Sequence, residues 1–147
     1  HIGALDDLRK LTGVKAYASE DEKQVLESRT GNLSAMFGHP LETSADIYLQ
    51  DGQEVAVLGT VARCISVPGH TVGGMCYYFA EEHLLFTGDT LFASSVGRSD
   101  FPTGNEQDLL EAIETKLLVL PEETAVYPGH NGTSRIGRER KFNPFFS

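Results

Sequence analysis

Three similar corners recur along the chain, each formed where a run of β-forming residues ends at a glycine that is followed by a possible metal ligand. The corners read "SVPGHT" at His70, "LFTGDT" at Asp89 and "VYPGHN" at His130. Glycine permits a tight turn and leaves space for close approach to the backbone. Open α/β sheets place their sites at one edge, so three strands lying side by side are expected to bring the three side chains together.

Two imidazoles and a carboxylate suit zinc, iron or manganese, and the two oxygens of a carboxylate can bridge a pair of ions. A single histidine in a Pro-Gly turn is more often a hydrated surface residue, and a single aspartate in "GDT" is more often a turn former. Three such corners at three strand ends favour a metal site. His39 lies in an unpatterned loop and His83 in a hairpin connection, so both are interpreted as solvent-exposed.

The N-terminal third has a simple pattern. Apolar residues at helical spacing from Ile2 to Leu11, followed by "TG", predict a first helix. "VKAYAS" predicts a short strand, and Ser19 with three following acids predicts the N-cap of a second helix that runs to about Glu27. Residues 30–49 have a weak pattern that is interpreted as irregular or helical loop.

The rest of the chain alternates between strand and helix patterns. "QEVAVLGTVARCISV", interrupted at Gly59, predicts two strands, and "GGMCYYF" and "HLLFTG" predict a hairpin. "NEQDLLEAIETKLLVL" predicts an amphipathic helix, and "TAVYPGH" predicts a last strand that runs into a turn. Strands followed by crossover helices indicate an α/β or mixed α+β layered fold. Residues 1–147 are expected to form one domain, because their 40% hydrophobic content suffices for a core.

Composition excludes several classes of function. The 21 acidic residues outnumber the 12 lysines and arginines, and the net charge of −9 argues against binding to nucleic acid or to an anionic membrane surface. No apolar run approaches the roughly 20 residues of a membrane span, so a soluble, cytoplasmic protein is expected. Cys64 and Cys76 do not form a CxxC pair and are interpreted as reduced, buried thiols.

Five motifs in order resemble the landmarks of the metallo-β-lactamase superfamily, specifically its glyoxalase II (hydroxyacylglutathione hydrolase) branch in the short bacterial form. They are "PGHTVGGMCYYF", "LFTGDTLF", "GRSDF", "VYPGHN" and "FNPFF". The resemblance covers essentially the whole chain and implies a four-layer αββα sandwich. "HIGALDDL" resembles the continuation of the last histidine in the family's HxHxDH signature. The other ligands of that signature, and the N-terminal strands, are therefore expected upstream of His1.

The resemblance also implies roles for individual residues. His70 and Asp89 would contribute to one metal, while His1, Asp89 and His130 would contribute to a second, with Asp89 bridging the two. The expected cofactor is a pair of Zn²⁺ ions, with iron or manganese as alternatives. The expected reaction is hydrolysis of a small-molecule thioester such as S-lactoylglutathione by a metal-activated water.

Substrate specificity is implied less strongly. Arg98 in "VGRSDF" matches a basic residue that contacts the glutathione part of the substrate in the family. The family's tyrosine two residues later is replaced by Asp100, which argues against strict glutathione specificity. Arg138, Arg140 and Lys141 form a basic cluster near the C-terminal end that is interpreted as a solvated face.

Two alternatives stay open. "GRSDF" also resembles the persulfide dioxygenases of the same fold, which use a single iron. Alternatively, residues 1–147 are a catalytically silent fragment. They contain only four of the seven ligands that the resemblance implies, and an incomplete ligand set binds metal weakly or not at all. A β-lactamase matches the motifs less closely. Without the upstream strands, an apolar face and a strand edge would be exposed, so association with another copy of the chain, domain swapping or a separate upstream segment is expected.

Overall fold

The computed structural model describes residues 2–147, in which a run of strands lies between N-terminal and C-terminal segments that contain the helices. The N-terminal elements are α1 (Leu5–Thr12), β1 (Tyr17–Ser19), α2 (Lys23–Leu26) and β2 (Ile47–Leu49). The central strands are β3 (Glu54–Val57), β4 (Thr60–Ser66), β5 (Met75–Phe79), β6 (Leu84–Gly88), β7 (Leu91–Phe92) and β8 (Ser95–Val96). The C-terminal elements are α3 (Glu106–Ala112), β9 (Ala125–Pro128), β10 (Ser134–Arg135) and α4 (Ile136–Phe142).

The N-terminal predictions are confirmed in outline. Helix α1 ends at Gly13, whose φ of 70° is the left-handed conformation that favours glycine at a helix C-terminus. The Ser19 hydroxyl accepts a hydrogen bond from the Asp21 N–H and caps a short 3₁₀ turn that leads into α2. The loop predicted for residues 30–49 is wrong at its end, because β2 lies there and pairs in parallel with β1.

The centre of the fold is a six-stranded mixed sheet in the order β10-β9-β6-β5-β4-β3. The pairs from β3 to β6 are antiparallel, and β6 pairs with β9 in parallel. Strands β4, β6 and β9 therefore run in the same direction, and the corners at His70, Asp89 and His130 follow their C-terminal ends. The expectation that the three corners meet at one edge of the sheet is confirmed. The three strands are not all adjacent, however, because β5 lies between β4 and β6.

The main core lies between this sheet and the helices α3 and α4. Helix α3 continues as a π-helical turn, Ile113–Leu117, and buries Leu109, Ile113 and Leu117 completely, as the amphipathic pattern predicted. These side chains pack with strand residues such as Leu85 and Val126. The mixed α/β fold is thereby confirmed. No helix among residues 2–147 is long and apolar enough to cross a lipid bilayer.

Both cysteines are free and buried, as predicted. Cys64 and Cys76 are 0% exposed and lie on neighbouring strands in adjacent register positions, so their side chains point to opposite faces of the sheet. Burial raises the pKa of Cys76 to about 12. A thiol with so high a pKa is a poor nucleophile and a core residue.

Candidate metal centre

The three corners converge on one carboxylate oxygen. Oδ2 of Asp89 lies 3.3 Å from Nε2 of His130 and 3.7 Å from Nε2 of His70. The side chains of His70 and Asp89 are 16% and 14% exposed, whereas that of His130 is 56% exposed. The structure thus brings together three of the four predicted ligands, and the fourth, His1, lies outside the described residues.

The ring of His70 is held in a defined orientation. Its Nδ1 atom lies 2.8 Å from the carbonyl oxygen of Arg98, so a neutral ring donates its proton there. The Nε2 lone pair is then left on the side of Asp89. The ring of Phe101 packs against His70 edge to face, at 5.0 Å between centroids. A hydrogen bond from the remote ring nitrogen is the usual arrangement of a histidine that binds metal.

Two glycines allow the backbone to approach Asp89 closely. A Cβ atom on Gly129 would lie 2.7 Å from Oδ1 of Asp89. A Cβ atom on Gly97 would overlap the Asp89 carbonyl oxygen and would lie 3.5 Å from Nδ1 of His70. Gly129, the glycine before His130, therefore lets the backbone lie close to the Asp89 carboxylate, as its position in the corner predicted.

Arg98, the predicted substrate contact, is engaged by a neighbouring carboxylate. Its Nε and Nη2 atoms donate to Oδ1 and Oδ2 of Asp100, each at 2.6 Å. The guanidinium carbon lies 4.7 Å from the centroid of the Phe101 ring. The hydrogen bond from Arg98 lowers the pKa of Asp100 to about 2, so the pair stays ionised at neutral pH. The motif "GRSDF" contains both partners, but the sequence reasoning did not identify them as a pair.

A cavity of about 1100 Å³ opens beside His70. Its walls come from α2, from the loop around residues 31–41, from the His70 corner and from Arg98 and Phe101. The Glu22 carboxylate fixes the α2 side of the cavity to this corner, because it accepts hydrogen bonds from Thr71 Oγ1 at 2.7 Å and from the Gly73 N–H at 3.0 Å. No local motif in the sequence marks Glu22 as a partner of the His70 corner.

The histidines that were interpreted as exposed lie outside the cluster. His83 lies in the β5–β6 connection, with its Nδ1 atom 3.9 Å from Oε1 of Glu123. His39 is exposed and contributes to the wall of the cavity. Neither residue is part of the convergence on Asp89.

Residues 1–130, which include all three corners, match the family described as the Metallo-beta-lactamase superfamily. The chain belongs to this superfamily. The predicted membership of the superfamily is therefore confirmed, and the matched residues contain three of the five motifs and the fourth as far as His130.

Superfamily members with curated names match nearly the whole chain. A probable metallo-hydrolase of Streptococcus pyogenes is 35% identical, over 99% of this chain and 66% of its own length. The hydroxyacylglutathione hydrolase GloC of Haemophilus influenzae is 32% identical, over 100% of this chain and 71% of its own length. The chain thus spans about two thirds of the length of these relatives.

Two solved structures share the fold of this chain. The BLEG-1 B3 metallo-beta-lactamase superposes with a TM-score of 0.91 and is 35% identical, over 100% of this chain and 72% of its own. TTHA1623, solved in a di-iron-bound form, gives a TM-score of 0.82 at 30% identity, over 99% of this chain and 71% of its own.

The donor set fits the metal ions that the superfamily binds, although it is incomplete. Within residues 2–147, no group of three or more His, Cys, Asp and Glu side chains is arranged so that it could hold a metal ion by itself. Two imidazole Nε2 atoms nevertheless face one carboxylate, and His70 already has the backbone hydrogen bond of a ligand. These are the nitrogen and oxygen donors that Zn²⁺ and Fe²⁺ accept.

Proposed function

We propose that this superfamily member is a metal-dependent hydrolase of thioesters. The observation that carries the proposal is the convergence of His70 and His130 on Oδ2 of Asp89. The similarity to a hydroxyacylglutathione hydrolase supports thioesters as the substrate class. Zn²⁺ is the expected ion, with iron or manganese as alternatives, and the proposed ligands are His1, His70, Asp89 and His130. The proposed partners are small-molecule thioesters or thiol conjugates, and the proposed location is the cytoplasm.

A divalent ion at these residues would polarise the thioester carbonyl and lower the pKa of a water molecule to about 7. The protein residues prepare this chemistry by position. The Arg98 carbonyl holds the proton of His70 on Nδ1, so that Nε2 faces the centre. The backbone passes close to the Asp89 carboxylate at Gly129 and close to the Asp89 main-chain carbonyl at Gly97. The cavity beside His70 gives the acyl or thiol group a place next to the reacting carbonyl.

The first test is metal content by plasma mass spectrometry, with intact mass and the hydrolysis of two thioesters, S-lactoylglutathione and the uncharged S-hexanoyl-N-acetylcysteamine, measured on the same sample. About two equivalents of metal and zinc-dependent or iron-dependent hydrolysis are expected. His130→Asn should lower both metal content and rate. His83→Asn is the matched control, because residue 83 has a φ of 53°, which asparagine tolerates, and lies outside the cluster.

Other outcomes would replace the proposal. One equivalent of iron with oxygen consumption would identify a persulfide dioxygenase. The similarity to BLEG-1 favours a second candidate, β-lactam hydrolysis, so a chromogenic cephalosporin belongs in the same assay. Neither metal nor hydrolysis, at a mass that matches 147 residues, would show that this chain is catalytically silent.

A further inference from the structure

The cavity beside His70 is lined mainly by apolar side chains. They come from α2, from the loop around residues 31–41 and from the segment after Arg98, and they include Val25, Leu26, Leu33, Phe37, Leu41 and Phe101. Its volume of about 1100 Å³ lies slightly above the range for small-molecule sites, about 300–1,000 Å³. Binding of an apolar ligand group to such a lining is favourable, because it removes apolar surface from water.

The charges at the cavity do not favour an anionic ligand. Among the described residues that line the cavity, Arg98 is the one lysine or arginine. Its guanidinium makes two hydrogen bonds to Asp100. Glu22 adds a carboxylate, which is engaged with Thr71 and Gly73. The net charge of −9 on the whole chain further opposes the approach of anions. Asp100 thus neutralises the charge of Arg98, and a ligand carboxylate at the remaining N–H groups of the guanidinium would also meet the negative charge of Asp100.

We infer that the cavity binds the apolar acyl chain of a thioester whose thiol portion carries no negative charge. In this inference, which rests on the proposed function, Asp100 determines specificity by neutralising the Arg98 charge that would otherwise attract an anionic ligand. Thr71 and Phe101 line the cavity and adjoin His70. An acyl group bound in the cavity therefore lies next to the candidate metal centre.

The charge part of the inference is tested by binding of two thioethers to the full chain, measured by calorimetry. S-hexylglutathione carries charged carboxylates, whereas S-hexyl-N-acetylcysteamine is uncharged, and neither is hydrolysed. The uncharged compound should bind at least about tenfold more tightly. Asp100→Asn should free Arg98 and reduce this ratio at least about fivefold. Equal affinities in the native chain, or an unchanged ratio in the variant, would overturn the inference.

The position of the ligand's hexyl group is tested by the same substitution at two different leucines. Leu33 lines the cavity and Leu58 is fully exposed elsewhere, and both have a left-handed backbone, with φ of 64° and 52°, that asparagine accepts. Leu33→Asn should weaken S-hexyl-N-acetylcysteamine binding about fivefold, and Leu58→Asn should not change it. Equal effects would place the hexyl group outside the cavity and overturn the inference.

These readouts separate the two proposals. Thioether binding does not depend on hydrolysis, so a chain that hydrolyses no thioester can still show the preference for the uncharged compound. Thioester hydrolysis without that preference would leave the proposed function standing and remove the specificity inference.

Discussion

At the scale of single residues, Asp89 depends on neighbours that have no side chain. The Gly129 Cα faces Oδ1 of Asp89 so closely that an added methyl group would lie 2.7 Å from it. That separation is well below ordinary van der Waals contact, so either the carboxylate or the His130 corner would have to shift. Because both His130 and Asp89 are proposed ligands, a shift of either changes the geometry of the centre.

Gly129→Ala should therefore lower metal affinity and reduce the rate of thioester hydrolysis roughly 100-fold, the effect of a displacement of about 1 Å at a reacting centre. Metal content after dialysis and kcat/KM measure the two effects. Gly132→Ala is the matched control, because a methyl group at residue 132 meets nothing within 4 Å. If the two variants retain metal and activity equally, Gly129 has no role in positioning Asp89.

Residues in local motifs could be predicted from the sequence, and residues that act through distant contacts could not. His70, Asp89 and His130 each follow a strand and a glycine, so the local pattern marks them. Glu22 has no such mark, because its partners Thr71 and Gly73 are 49 and 51 positions away along the chain. The role of His1 as a ligand stays a prediction.

At the scale of elements, Glu139 joins α4 to the hairpin of β7 and β8 and to β10. Its side chain is 0% exposed, and it accepts hydrogen bonds from the Ser94 N–H, the Ser134 hydroxyl, Arg138 Nη1 and Asn143 Nδ2. Burial alone would raise the pKa of Glu139. The hydrogen bonds from these four residues outweigh it, and the pKa is lowered from its ordinary 4.5.

Glu139→Gln should reduce the free energy of unfolding by about 3 kcal/mol at neutral pH, because an amide cannot accept from so many donors. A carboxyl with a lowered folded pKa contributes its full stability above its ordinary pKa of 4.5, and loses that contribution as the pH falls through the folded value. The difference in the free energy of unfolding between the native chain and the variant should therefore begin to shrink as the pH falls below 4.5.

Urea denaturation at neutral pH and at about pH 4 measures this difference. Glu81→Gln, at an exposed position in the β5–β6 connection, is the control and should change stability little at either pH. A stability loss for Glu139→Gln that does not vary with pH would contradict the ionised network.

Contact between the His70 corner and α3 also depends on a glycine. Gly69 has a φ of 133°, and its carbonyl accepts a hydrogen bond from the Asn105 N–H at 2.8 Å. A Cβ atom at residue 69 would lie 2.6 Å from the Asn105 carbonyl oxygen and would overlap Cβ of Leu109. The corner that carries His70 therefore packs directly on the first turns of α3.

Gly69→Ala should destabilise the chain by about 3 kcal/mol, from backbone strain together with overpacking against α3. Gly52→Ala is the control, because residue 52 has a φ of 76° but nothing within 4 Å of an added methyl group. The control should lose only about 1 kcal/mol from backbone strain. Thermal unfolding of both variants compares the losses, and equal losses would exclude a role for the α3 contact.

Long elements could be predicted from periodicity, and short elements could not. Helix α3 repeats buried residues at Leu109, Ile113 and Leu117, a pattern that the sequence shows directly. Strands β7, β8 and β10 have two residues each, which is too few to show any period. Helix α4 was missed because its charged residues drew the interpretation of a solvated face, whereas Ile136 and Glu139 within it are buried.

At the scale of the whole molecule, the two faces of the sheet are covered differently. Leu85 and Val126 lie on the face that packs on α3, and both are 0% exposed. Phe86 and Tyr127 are register partners on the opposite face, their rings stack at 5.4 Å between centroids, and they are 43% and 39% exposed. Exposed apolar patches commonly mark the places where proteins associate.

Copies of a chain consisting of residues 1–147 should therefore associate through the Phe86 face. The net charge of −9 opposes this by repulsion that salt screens, so the association should strengthen as ionic strength rises. Light scattering at low and high salt measures it. Phe86→Thr should shift the molar mass towards the monomer, because it removes aromatic surface while keeping strand propensity. Val119→Thr, at a 68% exposed position after the helix on the other face, should not. A monodisperse monomer of the native chain at both salt concentrations would contradict the prediction and would mean that the exposed aromatic surface is too small to hold two copies together.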